Sequence, residues 1–589
     1  MRNRGRWVLA ALVVSLMLAG ATAAGGQVAT GPPTAVGSGG AVATIDRLAT
    51  EAATAVLRRG GNAVDAAVTA AAVLGVVEPF SCGPGGGGFM VIRRAGDGRV
   101  TTIDHRETAP AAMRPDSFLE SGQPLPFNDA RFSGLSVGVP GTVAGWAEAL
   151  ESYGTMSLAQ VLEPAIRIAT GGFVIDQVFF DQIRQNLDYF DDLPATARLF
   201  LDPDGTPRDV GTVFRNPELA RTYTLIARLG PAGFYRVIAP FIVDAVRRPL
   251  VFPSANHRWR PGVMTLADLA RYVAPERAPT HVTYRGLDVY GMGPPSSGGS
   301  TVGEALNILE GYDLAALSTE EVWHLMLEAS RYAFADRNAY IADPAFFPVP
   351  LRGLLSDGFA AQRRSLITDR AAPSPVPPGN PYPFEGSGSA PGQAADAATR
   401  SGSTTHISVT DGAGNAVSYT FTIESLGGNG MVVPGFGFLL NNELTDFTFT
   451  STTDPNRVEG GKRPRSSMAP TIVLRDGAPL LVVGSPGGSM IITTVLQILV
   501  DRLDRGTPLP AAIAAPRASQ RNTPATVAEP AFLLTPEAEA LRRRGHVFTT
   551  TPEIGAANGI ELLGGGRVLA AAEPVRRGGG SAMVESPGS

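Results

Sequence analysis

The chain has 589 residues, 44% hydrophobic and 17% charged, with a formal net charge of −5 at pH 7. A chain this long can bury a large core, and its mild acidity excludes a protein that works by coating nucleic acid or an anionic membrane surface. The single cysteine, Cys82, excludes an intramolecular disulfide.

Met1–Ala24 carries Arg2, Arg4 and Arg6, an apolar run from Trp7 to Leu18, then Ala21-Thr-Ala23, which is the layout of a secretory signal peptide. No cysteine follows the run, so a lipid anchor is not expected. No later stretch has the roughly eighteen unbroken apolar residues of a membrane span. The expectation is an exported protein, periplasmic or extracellular, without a stable membrane anchor. Residues 25–40, rich in Gly, Pro and Thr, read as a mobile leader.

Two helices are predicted next, Ile45–Arg59 and Ala63–Val77, the second so rich in Ala and Val that it should be buried all round. The GPGGGGFM run, Gly83–Met90, lacks the Gly-Lys-Ser/Thr of a phosphate loop. Its glycines fit a close backbone approach inside the core. Phe89–Arg94 and Val100–Arg106 form a hairpin around AGDGR, leaving Arg106 at a strand end within DHRE. From Ser133 to Asp369 the pattern is helical with short strands. Ser157 caps one amphipathic helix, and Ser318–Glu321 is a capping box opening a long one that runs to about Asn338. Pro294-Pro295-Ser296-Ser297 reads as a structural loop.

Residues 372–403 are a Pro/Gly/Ser/Ala tract that predicts no packed element. It ends abruptly at Thr404–Glu424, where alternating runs Thr404–Thr410 and Asn415–Ile423 flank a DGAG turn and predict a β-hairpin. Cleavage between Ser403 and Thr404 would give Thr404 a free α-amine beside its hydroxyl, a complete nucleophile and base. The competing reading is a domain linker entering a strand. Period-two alternation puts Thr404, His406, Thr420, Thr422 and Glu424 on common faces. The six histidines fall in no HExxH or Cys/His pattern, so no metal is expected.

TTHISVTDGAGNAVSYT, LLNNELTDF, GKRPRSSMAPTIV and GSPGGSMIITTVLQ stand in the order and spacing of the γ-glutamyltransferase (γ-glutamyltranspeptidase) family of N-terminal nucleophile hydrolases, which the chain resembles over nearly its whole mature length. The resemblance implies an α+β fold, a four-layer αββα sandwich with two stacked antiparallel sheets between helical layers. It implies a precursor cut into a large chain, 25–403, and a small chain, 404–589, that stay associated. No cofactor is implied. The reaction implied is transfer of a γ-glutamyl group from a small-molecule amide, through a Thr404 ester, to water or an amino acid.

By the same resemblance, Thr422 orients the Thr404 hydroxyl, while the α-amine rather than His406 serves as base. Arg106 clamps the substrate α-carboxylate with Ser466 and Ser467, as a planar guanidinium can do bidentately. Glu443 and Asp446 bind the α-amino group, and the N–H groups of Gly487 and Gly488 stabilise an oxyanion. Ser489 then caps the helix SMIITTVLQILVDRL. Two departures bear on the substrate. Glu424 replaces the asparagine of well-known members and adds a third carboxylate near the amino site, and the Asp446–Pro464 loop is short and lacks a tyrosine. The alternatives are a related cephalosporin or glutaryl acylase, a poly-γ-glutamate hydrolase, or an inactive exported binding protein that kept the fold.

Overall fold

A computed structural model describes residues 33–386 and 403–587. The signal-peptide expectation for Met1–Ala24 lies outside these residues, as do 25–32 of the expected leader and 387–402 of the tract before Thr404.

The predicted hairpin is present as strands Thr405–Thr410 and Ala416–Thr422, paired antiparallel with His406 opposite Thr420. Asp411 closes its turn, its carboxylate accepting from the N–H groups of Ala413 and Asn415, each at 3.0 Å. Every residue of both strands is buried, but the two faces differ in chemistry. Ile407, Val409, Val417, Tyr419 and Phe421 join the helices Arg47–Arg58 and Ala63–Val77 in one apolar core. The even positions turn inward to a second sheet. There the Ser418 hydroxyl donates to the Val483 carbonyl at 3.1 Å, and the Asn558 amide donates to the His406 carbonyl at 2.8 Å.

Helices thus cover one sheet. A second sheet, including Thr471–Arg475 and Ala478–Gly484, packs against the first and is covered in turn by Gly298–Leu309 and Met490–Leu503. The expected αββα layering is present. The two sheets are nevertheless joined edge to edge into one 13-stranded ladder.

The joining strand is Thr34–Thr44, which pairs with Thr405–Thr410 on one side and with Arg567–Ala572 and Ser581–Pro587 on the other. This corrects the mobile-leader expectation for Thr34–Gly40. Composition reads flexibility locally, whereas ladder hydrogen bonds to three partners hold a Gly-rich strand whatever its side chains. The tract before Thr404 needs a similar correction. Within it Val376 is buried and exchanges two hydrogen bonds with the Asn522 side chain at 2.7 and 2.9 Å, and Tyr382–Glu385 forms a short helix.

The predicted helices form within two residues of their expected ends. Arg47–Arg58 is capped by Asp46, and the fully buried Ala63–Val77 carries an Asn62/Asp65 capping box. Ser157 and Ser318 cap as expected, the latter opening Thr319–Tyr340. The glycine run explains how the hairpin docks. Strand Gly87–Arg93 lies beside Ala416–Thr422 with Gly87 opposite Thr422. A Cβ on Gly86 would overlap the Thr422 carbonyl oxygen, and one on Gly85 the Leu439 carbonyl oxygen.

Candidate active site

At the mouth of the hairpin the chain is continuous through Ser403 and Thr404. The Ser403 N–H donates to the Glu424 carbonyl at 2.6 Å, pinning the residue before Thr404 to the returning strand. The Thr422 hydroxyl donates to the Ser403 carbonyl at 2.5 Å, while the Thr404 hydroxyl donates to Thr422 Oγ1 at 3.3 Å. Both threonines therefore face the Ser403–Thr404 peptide, as a period of two requires of directly opposed residues. On the far side of that peptide Arg577 donates to the Thr404 carbonyl at 2.5 Å and reaches Ser81 and Glu78, and Ser81 Oγ lies 2.8 Å from Ser403 Oγ. Burial pushes the Glu78 carboxyl up to about 7, against the pull of Arg577.

A single pocket gathers Thr404, Thr422, Gly488, Arg106, Glu424, Glu443, Asp446, Ser466 and Ser467. Gly487 and Ser403 each adjoin a lining residue in the chain without lining the pocket themselves, and φ values of +131° at Gly487 and +57° at Gly488 favour glycine at both positions. His406 stands apart. Its ring nitrogens lie 2.8 Å from Thr420 Oγ1 and 3.1 Å from Ser408 Oγ, and burial lowers its pKa to about 3. With both nitrogens occupied, it forms no dyad with Thr404.

Arg106 is placed by its own turn, its N–H donating to Asp104 Oδ1 at 3.0 Å. Its buried guanidinium donates to Glu443, to Asp446 Oδ2 at 2.5 Å, and to the carbonyls of Pro464 and Arg465 at 3.2 and 3.1 Å. The clamp and the amino-binding acids expected from the sequence are thus bonded to one another in this structure. Burial works against the Arg106 cation, but Glu443, Asp446 and Glu107 outweigh it and raise its pKa. Ser466 Oγ accepts from the Met468 N–H at 3.1 Å, and Ser467 Oγ accepts from Arg337 at 2.7 Å.

Glu424 reaches the pocket by a route alternation does not describe. Its φ of +76° breaks the strand, and its carboxylate accepts from Ser425 Oγ and from Asn442 Nδ2 at 2.6 Å. Its pKa is raised, first by burial and then by Asp446, so desolvation rather than like charge leads. Burial, with the Glu107, Asp446 and Glu424 carboxylates, also pushes Glu443 well above the usual carboxylate range, against the pull of Arg106.

Several participants were missed in the sequence. Arg337 and Arg465 line the pocket, the first from the last turn of Thr319–Tyr340, where a basic residue reads as an ordinary partner of the helix dipole. Glu107 faces Glu443 as a hydrogen-bond partner from behind Arg106. Both Glu107 oxygens and Glu443 Oε2 are buried without a hydrogen-bond donor among the described residues, the setting in which a carboxyl holds its proton. Burial pushes Glu107 up to about 8. The DHRE motif carried this residue in plain view, but nothing local marks which acid turns inward.

Ser489 departs from expectation as well. It sits at the N-cap position of Met490–Leu503 with φ −65° and ψ −15°, and its side chain makes no capping bond. Its hydroxyl is instead taken by Arg521, which donates to it at 2.5 Å. Among the described residues, no group of three or more His, Cys, Asp or Glu stands together as metal ligands do.

Residues 49–583 match the family model described as Gamma-glutamyltranspeptidase. The chain is 38% identical to a glutathione hydrolase proenzyme of Bacillus subtilis (strain 168), covering 90% of this chain and 88% of that protein. It is 36% identical to the acylase ACY 1 proenzyme of Pseudomonas sp. (strain V22), covering 91% and 92%. Among solved structures, the cephalosporin acylase from Bacillus halodurans superposes with a TM-score of 0.82 at 27% identity, covering 96% of this chain and 99% of that one. On the breadth of that match and the convergence of its motifs around Thr404, the chain belongs to the gamma-glutamyltranspeptidase family.

Proposed function

We propose that this protein is an exported, self-processing enzyme that transfers or hydrolyses γ-glutamyl groups. The observation that carries the proposal is the convergence of Thr404, Thr422, Gly488 and the Arg106–Glu443–Asp446 cluster on one pocket. In the precursor, the Thr404 hydroxyl attacks the Ser403 carbonyl, which the Thr422 hydroxyl already polarises. The C–N bond breaks as the acyl group passes to Thr404 Oγ1, and water releases it. Thr404 is left with a free α-amine at the head of the small chain.

In turnover, that amine takes the proton from Thr404 Oγ1 as the oxygen attacks the γ-carbonyl. The Gly487 and Gly488 N–H groups stabilise the oxyanion, and the proton leaves with the departing amine. Water or an amino acid then resolves the γ-glutamyl ester. The α-carboxylate is held by Arg106, Ser466 and Ser467, and the α-ammonium by Glu424, Glu443 and Asp446. A zwitterionic head group suits a cluster whose own charges alternate, since it can exchange partners without leaving a buried charge unpaired. A glutaryl group has no ammonium to meet the three carboxylates, so the γ-glutamyl reading is favoured over the acylase one despite the acylase relatives. The basic, then apolar, start of the chain supports export. No described helix is long and apolar enough to cross a membrane.

Denatured mass spectrometry of the purified protein tests the mechanism. Two chains are expected, the smaller beginning at Thr404, with Thr404→Ala uncut and inactive. Full activity in an uncut protein would refute the proposal. Turnover of a glutaryl anilide with no turnover of a γ-glutamyl anilide would move the chain to the acylases.

A further inference from the structure

Several buried arginines in this protein face a carboxylate. Arg331 meets Glu328, Arg363 meets Asp336, Arg463 meets Asp104 and Arg517 meets Glu573. Arg521 does not. It is 7% exposed, its hydrogen bond goes to Ser489 Oγ, and its buried Nε has no partner among the described residues. Burial lowers its pKa to about 10, which leaves it a cation at neutral pH. A buried charge without a counter-charge is destabilising, so its retention beside a reactive pocket asks for an anion.

The surroundings hold Arg521 in place. Ser519 Oγ lies 2.7 Å from Thr493 Oγ1 on Met490–Leu503, and Asn522 is bonded on both sides of Val376. The guanidinium donates to Ser489 Oγ, so the serine keeps its own hydrogen to donate elsewhere. Ser489 lines the pocket beside Gly488 and Ile491. The start of a 14-residue helix there adds partial positive charge.

We propose that Ser489 and Arg521 form an anion subsite on the leaving-group side of the pocket, taking a carboxylate carried by the departing amine. The inference rests on the γ-glutamyl reading. There the amino-acid head group occupies Arg106, Ser466, Ser467 and the acids, so what extends past the Gly488 N–H is the amine portion of the substrate. Ser489 makes the direct contact, and Arg521 supplies charge through it. The preferred substrates are then γ-glutamyl peptides or anilides with an acid group near the scissile amide.

The test compares γ-glutamyl-4-nitroanilide with γ-glutamyl-3-carboxy-4-nitroanilide. In Arg521→Gln and Ser489→Ala, the ratio of kcat/KM for the carboxylated over the neutral anilide should fall about tenfold, the scale of one charge-assisted contact. Arg521→Lys should recover part of it. An unchanged ratio overturns the proposal. So does an equal loss on both anilides, since the charge would then act on the oxyanion common to both. If the wild-type protein turns over neither anilide, the γ-glutamyl reading has failed by itself. The subsite is then read from inorganic phosphate, which should raise the Tm of the wild type more than that of Arg521→Gln. Equal rises overturn it.

Discussion

The two ends of the pocket handle charge in opposite ways. At one end Arg106 is locked to Glu443 and Asp446, with Glu107 behind, so cation and anions are matched before any substrate arrives. At the other, Arg521 stands buried behind Ser489 without a carboxylate. A matched cluster can receive a zwitterion by exchanging partners, and its geometry is set by the protein alone. An unmatched cation lies closer to a completed half-site, whose other half comes with the ligand.

The sharpest way to break this contrast is to unmatch the matched end. Arg106→Ala would leave the buried Glu107 and Glu443 and the half-buried Asp446 facing one another, and removing one partner of a buried ion pair costs about 3–5 kcal/mol. A loss of that size in denaturant unfolding is expected, whereas Arg521→Gln, which removes an unpaired charge, should not destabilise the fold. Comparable losses in the two variants would mean that the difference between the ends is not real. Arg106→Lys keeps the charge but not the fork, and should lower kcat/KM by about ten- to a hundredfold while sparing processing.

A smaller effect is expected at Glu424. Its carboxyl is raised by burial and then by Asp446, so on acidification it takes up its proton early and its grip on an α-ammonium fails. Substrate affinity should therefore fall as pH drops through that raised pKa. Glu424→Asn removes the titrating group and should move the acid limb of KM to lower pH while preserving hydrolysis of a γ-glutamyl anilide. An unmoved limb would show that another group sets it.

Glu107 gives the mildest readout. Its carboxyl is pushed up to about 8 in the folded protein, against about 4.3 in an unfolded chain. The folded state therefore holds a proton that the unfolded state has lost, and the stabilisation present below about pH 4 fades as pH rises through 8. Tm should decline across this window in the wild type and decline less in Glu107→Gln, where an amide that does not titrate replaces the carboxyl. Parallel Tm–pH curves would show that Glu107 does not carry it.

Much of this site was legible in the chain because its parts are local. The hairpin was readable from strict alternation around DGAG, and opposition of Thr404 to Thr422 follows from that register. Capping residues mark the helices Leu158–Gly171 and Thr319–Tyr340, and the glycine run announced a close backbone contact. What the sequence did not determine is which charges meet. Arg106 and Glu443 are 337 positions apart, and their bond exists only because the Leu439–Phe447 segment lies against the glycine run. Glu424 enters the pocket through a left-handed residue that alternation cannot foresee. Thr34–Gly40 looks mobile by composition but is a strand because three others flank it, and Ser489 sits where a cap belongs but spends its hydroxyl on Arg521. Local pattern determines elements, because backbone periodicity and capping act over a few residues. Burial and long-range pairing determine protonation and partner choice, because desolvation and Coulomb forces depend on what the whole fold brings within a few ångströms.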